Sequence, residues 1–392
     1  MSVTRRRLLQ SGAGLAGLSL IAAASGCAPP EPPVGAAAAL KLPTDVSAKD
    51  KRVRWANWTA YLDYDEKAKT YLTLQAFTKK TGIKATYSES IDDNDTYVSK
   101  VTPQVRAGQD IGADVIVLTD WMANRVIREQ LVQPLELIQM PNATNLLPAL
   151  KEASFDPGRR HSLTWQSGFA GIGYNRKKLG RDLKTIEDLW AADLKGRVVA
   201  LSEFRDTAGL IMMSQGVRID GDFDKSAVQR AFDEVTKRIS DGNIRRIRGN
   251  SYLEDLKSGN AVAGIVWSGD LFTLRTETGD DSWQFVLPQS GGTLWSDNLM
   301  IPITSTHRRN AEALMNYYYD PTVAAQVAAW VNYICPVQGA QREMEKIDPE
   351  LAKSPFIFPE ADFIAEHAQS FRALGPEEDA EYSAMWAKVV GN

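Results

Sequence analysis

Short apolar runs alternate along the chain with longer stretches of helical period. Val53–Trp58 reads as a first strand. Asp65–Thr81 carries apolar Ala68, Tyr71, Leu72 and Phe77 and stops at Gly82, the pattern of a helix with a glycine end. Ile83–Tyr87 predicts a strand and Thr96–Ala107 a second helix. Ala113–Leu118 is nearly all apolar, as expected of a parallel strand covered on both faces, with a helix from Trp121 to Gln130 behind it. Leu163–Tyr174 is extended, glycine-rich and polar at its centre, which suits a segment crossing between lobes. A second alternation follows: helix Ile186–Ala192, strand Val198–Leu201, turn Ser202–Arg205 and helix Asp206–Gly216. Then come the amphipathic Phe223–Ser240, the short helix Tyr252–Lys257, and strands at Ala261–Trp267 and Trp283–Pro288. Asn310–Tyr319 and Pro321–Val331 read as helices, the second with Asp320 as N-cap and Pro321 at its first position. Tyr333–Pro336 is a third crossing, and the remainder is helical, ending in Glu377–Val389.

Regular alternation of strand and helix predicts an α/β fold of two lobes, each a mostly parallel sheet flanked by helices. Two or three extended crossings make a hinge, with a cleft between the lobes. The expected boundaries are 51–163 with 297–335 for the first lobe and 164–296 with 336–392 for the second. Loops at the carboxyl ends of parallel strands are where such sheets bind ligands, and Asn57–Tyr61 and Thr119–Trp121 both fall there.

The first 26 residues read differently. Arg5, Arg6 and Arg7 precede a short apolar, glycine- and alanine-rich run from Gly12 to Ala24, the form of an export signal. The paired arginines resemble a twin-arginine signal. Ala24-Ser25-Gly26-Cys27 resembles a lipoprotein cleavage box, which makes Cys27 the expected acylation site and 27–50, rich in Ala and Pro, a tether. Gly12, Gly14 and Gly17 match a dinucleotide-binding spacing but lie inside this signal with no strand before them, and are set aside.

The remaining composition narrows the chemistry. The chain has 392 residues, 44% hydrophobic and 24% charged, which suits a two-domain globular protein with a full core. The net charge is −4, and removal of the basic leader leaves the body more acidic still, against nucleic acid and in favour of cationic ligands. With Cys27 modified, Cys335 is alone and no internal disulfide forms. His161, His307 and His367 have no ligand spacing, so no metal and no cofactor is expected.

Gly291–Pro302, GGTLWSDNLMIP, holds the most suggestive pair. Trp295 and Asp297 are two apart on an extended segment and therefore share a face. An indole beside a carboxylate suits an alkylammonium, the acid taking the charge and the ring covering the methylenes. Alone, the same pair serves equally as a core tryptophan and a turn aspartate. Glu203 and Asp206, three apart at a helix start, form a second acidic site, or are simply helix N-terminal acids favoured by the dipole.

Five motifs in register, NWTAY (Asn57–Tyr61), ADVIVLTDW (Ala113–Trp121), GIVWSG (Gly264–Gly269), GGTLWSDNLMIP and the Tyr333–Pro336 crossing, resemble the spermidine/putrescine-binding proteins of bacterial ABC importers. The likeness runs from Val53 to near the C-terminus and implies the hinged periplasmic-binding-protein fold. It also implies site roles. Trp58 and Tyr61 wall the cleft, Thr119 and Trp121 add a hydroxyl and a ring, and Trp267 and Trp295 sandwich the aliphatic chain. Asp297 binds one amine, Glu203 with Asp206 another, and Tyr333 closes the rim. Two departures stand out: the family has Asp then Glu where this chain has Glu203 then Asp206, and an acid where Ala60 stands.

The expectation is an exported, lipid-tethered monomer, not an enzyme, that captures a polyamine by hinge closure and delivers it to ABC permease subunits. Two alternatives are another small cation or neutral solute on the same scaffold, and an exported hydrolase using Glu203 and Asp206. The second requires carboxylates about 5–9.5 Å apart across a scissile bond, and a pair one helical turn apart is too close for that.

Overall fold

The computed structural model describes residues 41–391. The leader, Cys27 and the tether as far as residue 40 lie outside the described residues. The last stretch of the expected tether belongs to the folded body: Ser47 is buried, the Val46 N–H donates to Thr306 O at 2.8 Å, and Asp45 accepts from the Arg309 N–H at 3.1 Å.

The first α/β unit comprises β1 (Arg52–Trp58), α1 (Leu72–Thr81), β2 (Lys84–Ile91), α2 (Asn94–Arg106), β3 (Val115–Thr119) and α3 (Asp120–Arg128). The helix α1 starts later than the pattern suggests, because Tyr64–Asp65 pairs with Thr70–Tyr71 as a small hairpin. The long strand β4 (Leu163–Asn175) then crosses to a second unit: β5 (Val198–Leu201), α4 (Phe204–Ser214), α5 (Lys225–Ser240), β6 (Ile244–Arg248), α6 (Tyr252–Lys257), β7 (Ala263–Trp267), α7 (Ser268–Thr278) and β8 (Trp283–Val286). The strand β9 (Gly292–Met300) crosses back to α8 (Arg308–Tyr318) and α9 (Pro321–Val331). The chain ends through α10 (Ala340–Ile347), β10 (Ala368–Ser370) and α11 (Pro376–Val390).

The sheet order is β2-β1-β3-β9-β4-β7-β5-β6. Three parallel strands stand at each end, and the crossing strands β9 and β4 run antiparallel between them. One strand that leaves a lobe and one that returns to it run in opposite directions, so along this order parallel pairing lies on the two flanks; off it, β10 pairs in parallel with the start of β9. Every residue of β4 is buried.

Two hydrophobic cores lie on either side of this seam. The first includes Trp55, Phe77, Leu118, Met122, Leu299 and Tyr319; the second includes Val199, Ile211, Phe232, Ile265 and Trp283. Trp267 packs against both. Val337, Ala340, Met344 and Ile357 belong to the first core, and Leu374, Tyr382 and Trp386, with Phe371, Met385, Val389 and Val390 packed against them, carry the C-terminal segment into the second. The segment after residue 335, expected with the second lobe, therefore packs on the first as far as Ile357, because α10 lies against α9. Cys335 is a buried free thiol whose pKa burial pushes up to about 12.

Candidate functional site

The register of the crossing strands sets the site. Asp297 of β9 lies opposite Thr119 at the carboxyl end of β3, Trp295 opposite Gly168 of β4, and Trp267 at the carboxyl end of β7 opposite Ala170. The ends of two parallel units thus meet the middle of both crossings. A slot opens there, lined by Trp58, Thr59, Tyr61, Asp92, Asp93, Asn94, Thr119, Ser202, Glu203, Asp206, Asn250, Trp267, Asp270, Trp295, Asp297 and Tyr333. Its empty space is about 500 Å³ including the mouth, within the usual range of ligand pockets, about 300–1,000 Å³.

Glycine makes the aromatic packing possible. A Cβ on Gly168 would stand 2.5 Å from Trp295 Cζ2 and 2.7 Å from Tyr333 Cδ1, and one on Gly269 would stand 2.5 Å from Tyr333 Cε2. Rings of both units therefore converge. Trp58 and Trp267 have centroids 6.3 Å apart, Trp267 and Trp295 6.4 Å, Trp295 and Tyr333 5.3 Å, and Tyr61 and Tyr333 5.3 Å. All meet edge to face, so Trp267 and Trp295 form a corner rather than parallel plates.

Three buried carboxylates in this slot have neutral donors on both oxygens. Asp297 accepts from Tyr61 OH at 2.9 Å and Thr119 Oγ1 at 2.7 Å, and Asn94 Nδ2 in turn donates to Thr119 Oγ1 at 2.9 Å. Asp206 accepts from Trp267 Nε1 at 2.8 Å and Thr293 Oγ1 at 2.5 Å. Asp270 accepts from Tyr333 OH and Tyr252 OH, both at 2.8 Å, and from Asn250 Nδ2 at 3.2 Å. No lysine, arginine or histidine lines the slot. Burial accordingly pushes the Asp297 carboxyl up to about 7 and those of Asp206 and Asp270 up to about 6, with the hydrogen bonds opposing. Glu203 differs. Burial, with Asp206 and Asp95 nearby, raises it to about 8 against the pull of Arg205, whose Nη1 donates to its Oε1 at 3.2 Å.

Nine of the ten residues expected from sequence line the slot: Trp58, Tyr61, Thr119, Glu203, Asp206, Trp267, Trp295, Asp297 and Tyr333. Trp121 does not. The helix α3 begins at Asp120 and turns that ring away, against the guanidinium of Arg205, 3.8 Å from the ring centroid, and of Arg125 at 4.9 Å. Trp55 is core, as its place inside a strand suggests. Ala60 sits outside the slot with φ +54°, its N–H donating to the exposed Glu89 at 3.0 Å.

Sequence reasoning missed Asp270, Asn250 and the Asp92–Asp93 corner. The aspartate stands three residues after Trp267, in the first turn of α7, and that spacing was the available signal. The corner of β2 and α2 touches the loop before α6. The Asn250 N–H donates to Asp92 O at 3.2 Å, the Ser251 N–H to Asp92 Oδ1 at 2.9 Å, and Ser202 Oγ to Asp93 Oδ2 at 2.7 Å. These bonds join residues of the two units opposite the crossings and shut the slot. Asn250 Oδ1 and Trp295 Nε1 are buried without partners. No group of metal-ligating side chains is found among the described residues.

A family model described as bacterial extracellular solute-binding protein matches residues 73–358. The chain is 26% identical over 309 residues to the spermidine/putrescine-binding periplasmic protein of Escherichia coli (strain K12), covering 79% of this chain and 83% of that one. It is 27% identical over 333 residues to spermidine/putrescine-binding periplasmic protein 1 of Haemophilus influenzae, covering 84% and 89%. In structure it is similar to a putative spermidine/putrescine ABC transporter from Listeria monocytogenes, with TM-score 0.74 and 24% identity over 87% of this chain and 99% of that one, which shows a shared fold.

Proposed function

This chain belongs to the bacterial extracellular solute-binding protein family, and we propose that its solute is a polyamine, captured between the two lobes and handed to the permease subunits of an ABC importer. One observation carries the reading: three buried carboxylates line the slot with every oxygen held by a neutral donor and no cationic side chain among the lining residues. A buried anion without a countercharge is costly, so the slot is completed by a ligand that brings positive charge at separated points. The aromatic walls suit the methylene stretches between those charges, and rings near an ammonium add cation–π attraction. Contacts from both lobes favour the closed arrangement when ligand is present.

Relatives of similar length are named for spermidine and putrescine, which supports the same ligand class here. Export through a twin-arginine signal, acylation at Cys27 and a monomeric state belong to the same proposal, as do lobe boundaries near residues 163 and 297. The hydrolase alternative finds no support: the family binds solutes, and Glu203 is engaged by Arg205 rather than poised opposite a second acid. A second reading, another small cation on this scaffold, draws on Ala60, where the resemblance implies an acid.

Calorimetric titration with spermidine, putrescine, arginine and betaine decides between them. Saturable binding of a polyamine in preference to arginine and betaine supports the proposal. Tight binding of betaine or arginine with no response to either polyamine overturns it.

A further inference from the structure

Arg205 is an arginine in an acidic neighbourhood, and it does not face the ligand. It is 6% exposed, stacked 3.8 Å from the Trp121 centroid and 4.2 Å from that of Phe204. Its Nη2 donates to Asp379 Oδ1 at 2.7 Å, and its Nη1 and its backbone N–H both donate to Glu203 Oε1 at 3.2 Å. The aspartate, on α11, is fixed in turn by Arg125 of α3 at 3.0 Å, and Arg125 bonds Asp95 of α2 at 2.6 Å. A guanidinium held on so many sides is a permanent internal cation.

We propose that Arg205 sets the number of ligand charges the slot accepts, by filling the place of an ammonium at Glu203 and leaving Asp206 as the acid that receives the amine at that end. Charge and occupancy distinguish the two acids, and this role for Arg205 rests on the polyamine reading. Glu203 and Asp206 stand one helical turn apart and both line the slot, so by position either could hold an amine. Their partners differ. Asp206 has only neutral donors, Trp267 Nε1 and Thr293 Oγ1, and no cation within hydrogen-bond reach. Glu203 already has one. With Asp297 and Asp270, the slot then offers three buried acids that have neutral donors alone, Asp92 and Asp93 lying at its more exposed edge, which suits a trication better than a tetracation. Trp121, off the slot wall, acquires a role as the surface that holds Arg205 in place; it is a positioning residue.

The test uses the whole exported protein and three probes, putrescine, spermidine and spermine, titrated at pH 8. Asp206→Asn is expected to weaken spermidine at least about 30-fold, the usual loss when a buried charge loses its partner, whereas Glu203→Gln changes it by less than about threefold. Arg205→Met, which frees Glu203, is expected to raise the spermine-to-spermidine affinity ratio about tenfold or more, and adding Glu203→Gln to it restores the original ratio. A merely structural arginine would lower all three affinities by a common factor and leave the ratio unmoved. Equal losses in Glu203→Gln and Asp206→Asn overturn the proposal, as does an unchanged ratio in Arg205→Met. Should Arg205→Met not fold, the Glu203→Gln and Asp206→Asn comparison stands on its own. Failure of the wild-type protein to bind any of the three amines would instead remove the polyamine reading.

Discussion

Gly249 offers a way to hold the jaw open without replacing any side chain of the ligand site. It lies in the loop before α6, on the second unit, and its Cα faces the β2–α2 corner of the first. A Cβ added there would come within 1.8 Å of Asp92 O and 2.7 Å of Asp92 C. Real Cβ atoms do not approach backbone closer than 3.0 Å, so in Gly249→Ala the two loops must part by more than about 1 Å. That separation breaks the Asn250 N–H bond to Asp92 O at 3.2 Å and stretches the Ser251 bonds to the Asp92 carboxylate at 2.9 and 3.3 Å. At about 0.5–1.5 kcal/mol for a neutral hydrogen bond, and somewhat more for those to a carboxylate, the closed state loses about 2–4 kcal/mol relative to an open one. Ligand affinity then falls about 30- to 1,000-fold, because only the closed form makes contacts from both lobes. Asp297, Asp206 and Asp270 keep their own side chains, but Asp92 and Asn250 of the slot lining move with these loops, so closure is read from compaction as well as from affinity. Calorimetry gives the affinity, and small-angle scattering with and without spermidine gives the compaction. A Gly249→Ala protein that binds and compacts like the wild type would refute the account of these loops as a closing contact.

Other expectations follow from the same geometry. Asp297→Asn keeps the shape of the slot but removes a buried carboxylate held by neutral donors alone, and spermidine affinity at pH 8 is expected to fall at least about 30-fold by calorimetry. Gly168→Ala drives a methyl into Trp295 and Tyr333; overpacking of this kind costs about 1–3 kcal/mol, read as a lower Tm together with weaker binding and a changed tryptophan emission. The pH dependence has opposite signs with and without ligand. Without ligand, Asp206, Asp270, Asp297 and Glu203 are raised to about 6, 6, 7 and 8, so between about pH 4 and 8 these groups hold more protons in the folded state than in the unfolded chain. Unfolding free energy therefore falls as pH rises through that window, whereas spermidine affinity rises, with protons released on binding. Tm scans of the empty protein from pH 4.5 to 8 and titrations in buffers of different ionisation heat check both signs.

Much of the fold was legible because its cores depend on hydrophobic patterning. Ala113–Leu118 and Ala261–Trp267 read as buried strands, and both stand close to that place, with Thr119 and Trp267 at the carboxyl ends where ligands are met. Asp320 caps α9 by accepting from the Thr322 N–H, as the Asp-Pro pair implies. The illegible parts have physical reasons. The helix α7 escaped notice because it buries Ser268, Gly269, Asp270 and Thr273 alongside its leucines, so no apolar stripe marks it, and its aspartate was lost with it. The strand β6, IRRIR, is an edge strand whose arginines gather round Asp255, which hides its alternation. Trp121 was assigned to the cleft because it follows a strand end by two residues; the helix that begins between them turned it to Arg205. Glu203 and Asp206 were read as one acidic site, since nothing in their spacing shows that only one of them is matched by an arginine.

The claim that everything else depends on is that the slot is completed by charge on the ligand, not by shape alone. Calorimetric titration of the exported protein with spermidine, set beside fully acetylated spermidine, tests it most directly. The two share a carbon backbone, but the acetylated compound carries amides where spermidine carries ammonium groups. Saturable one-to-one binding of spermidine with proton release, and none of the acetylated compound, is the expected result; equal binding of the two, or binding of neither, would contradict the account.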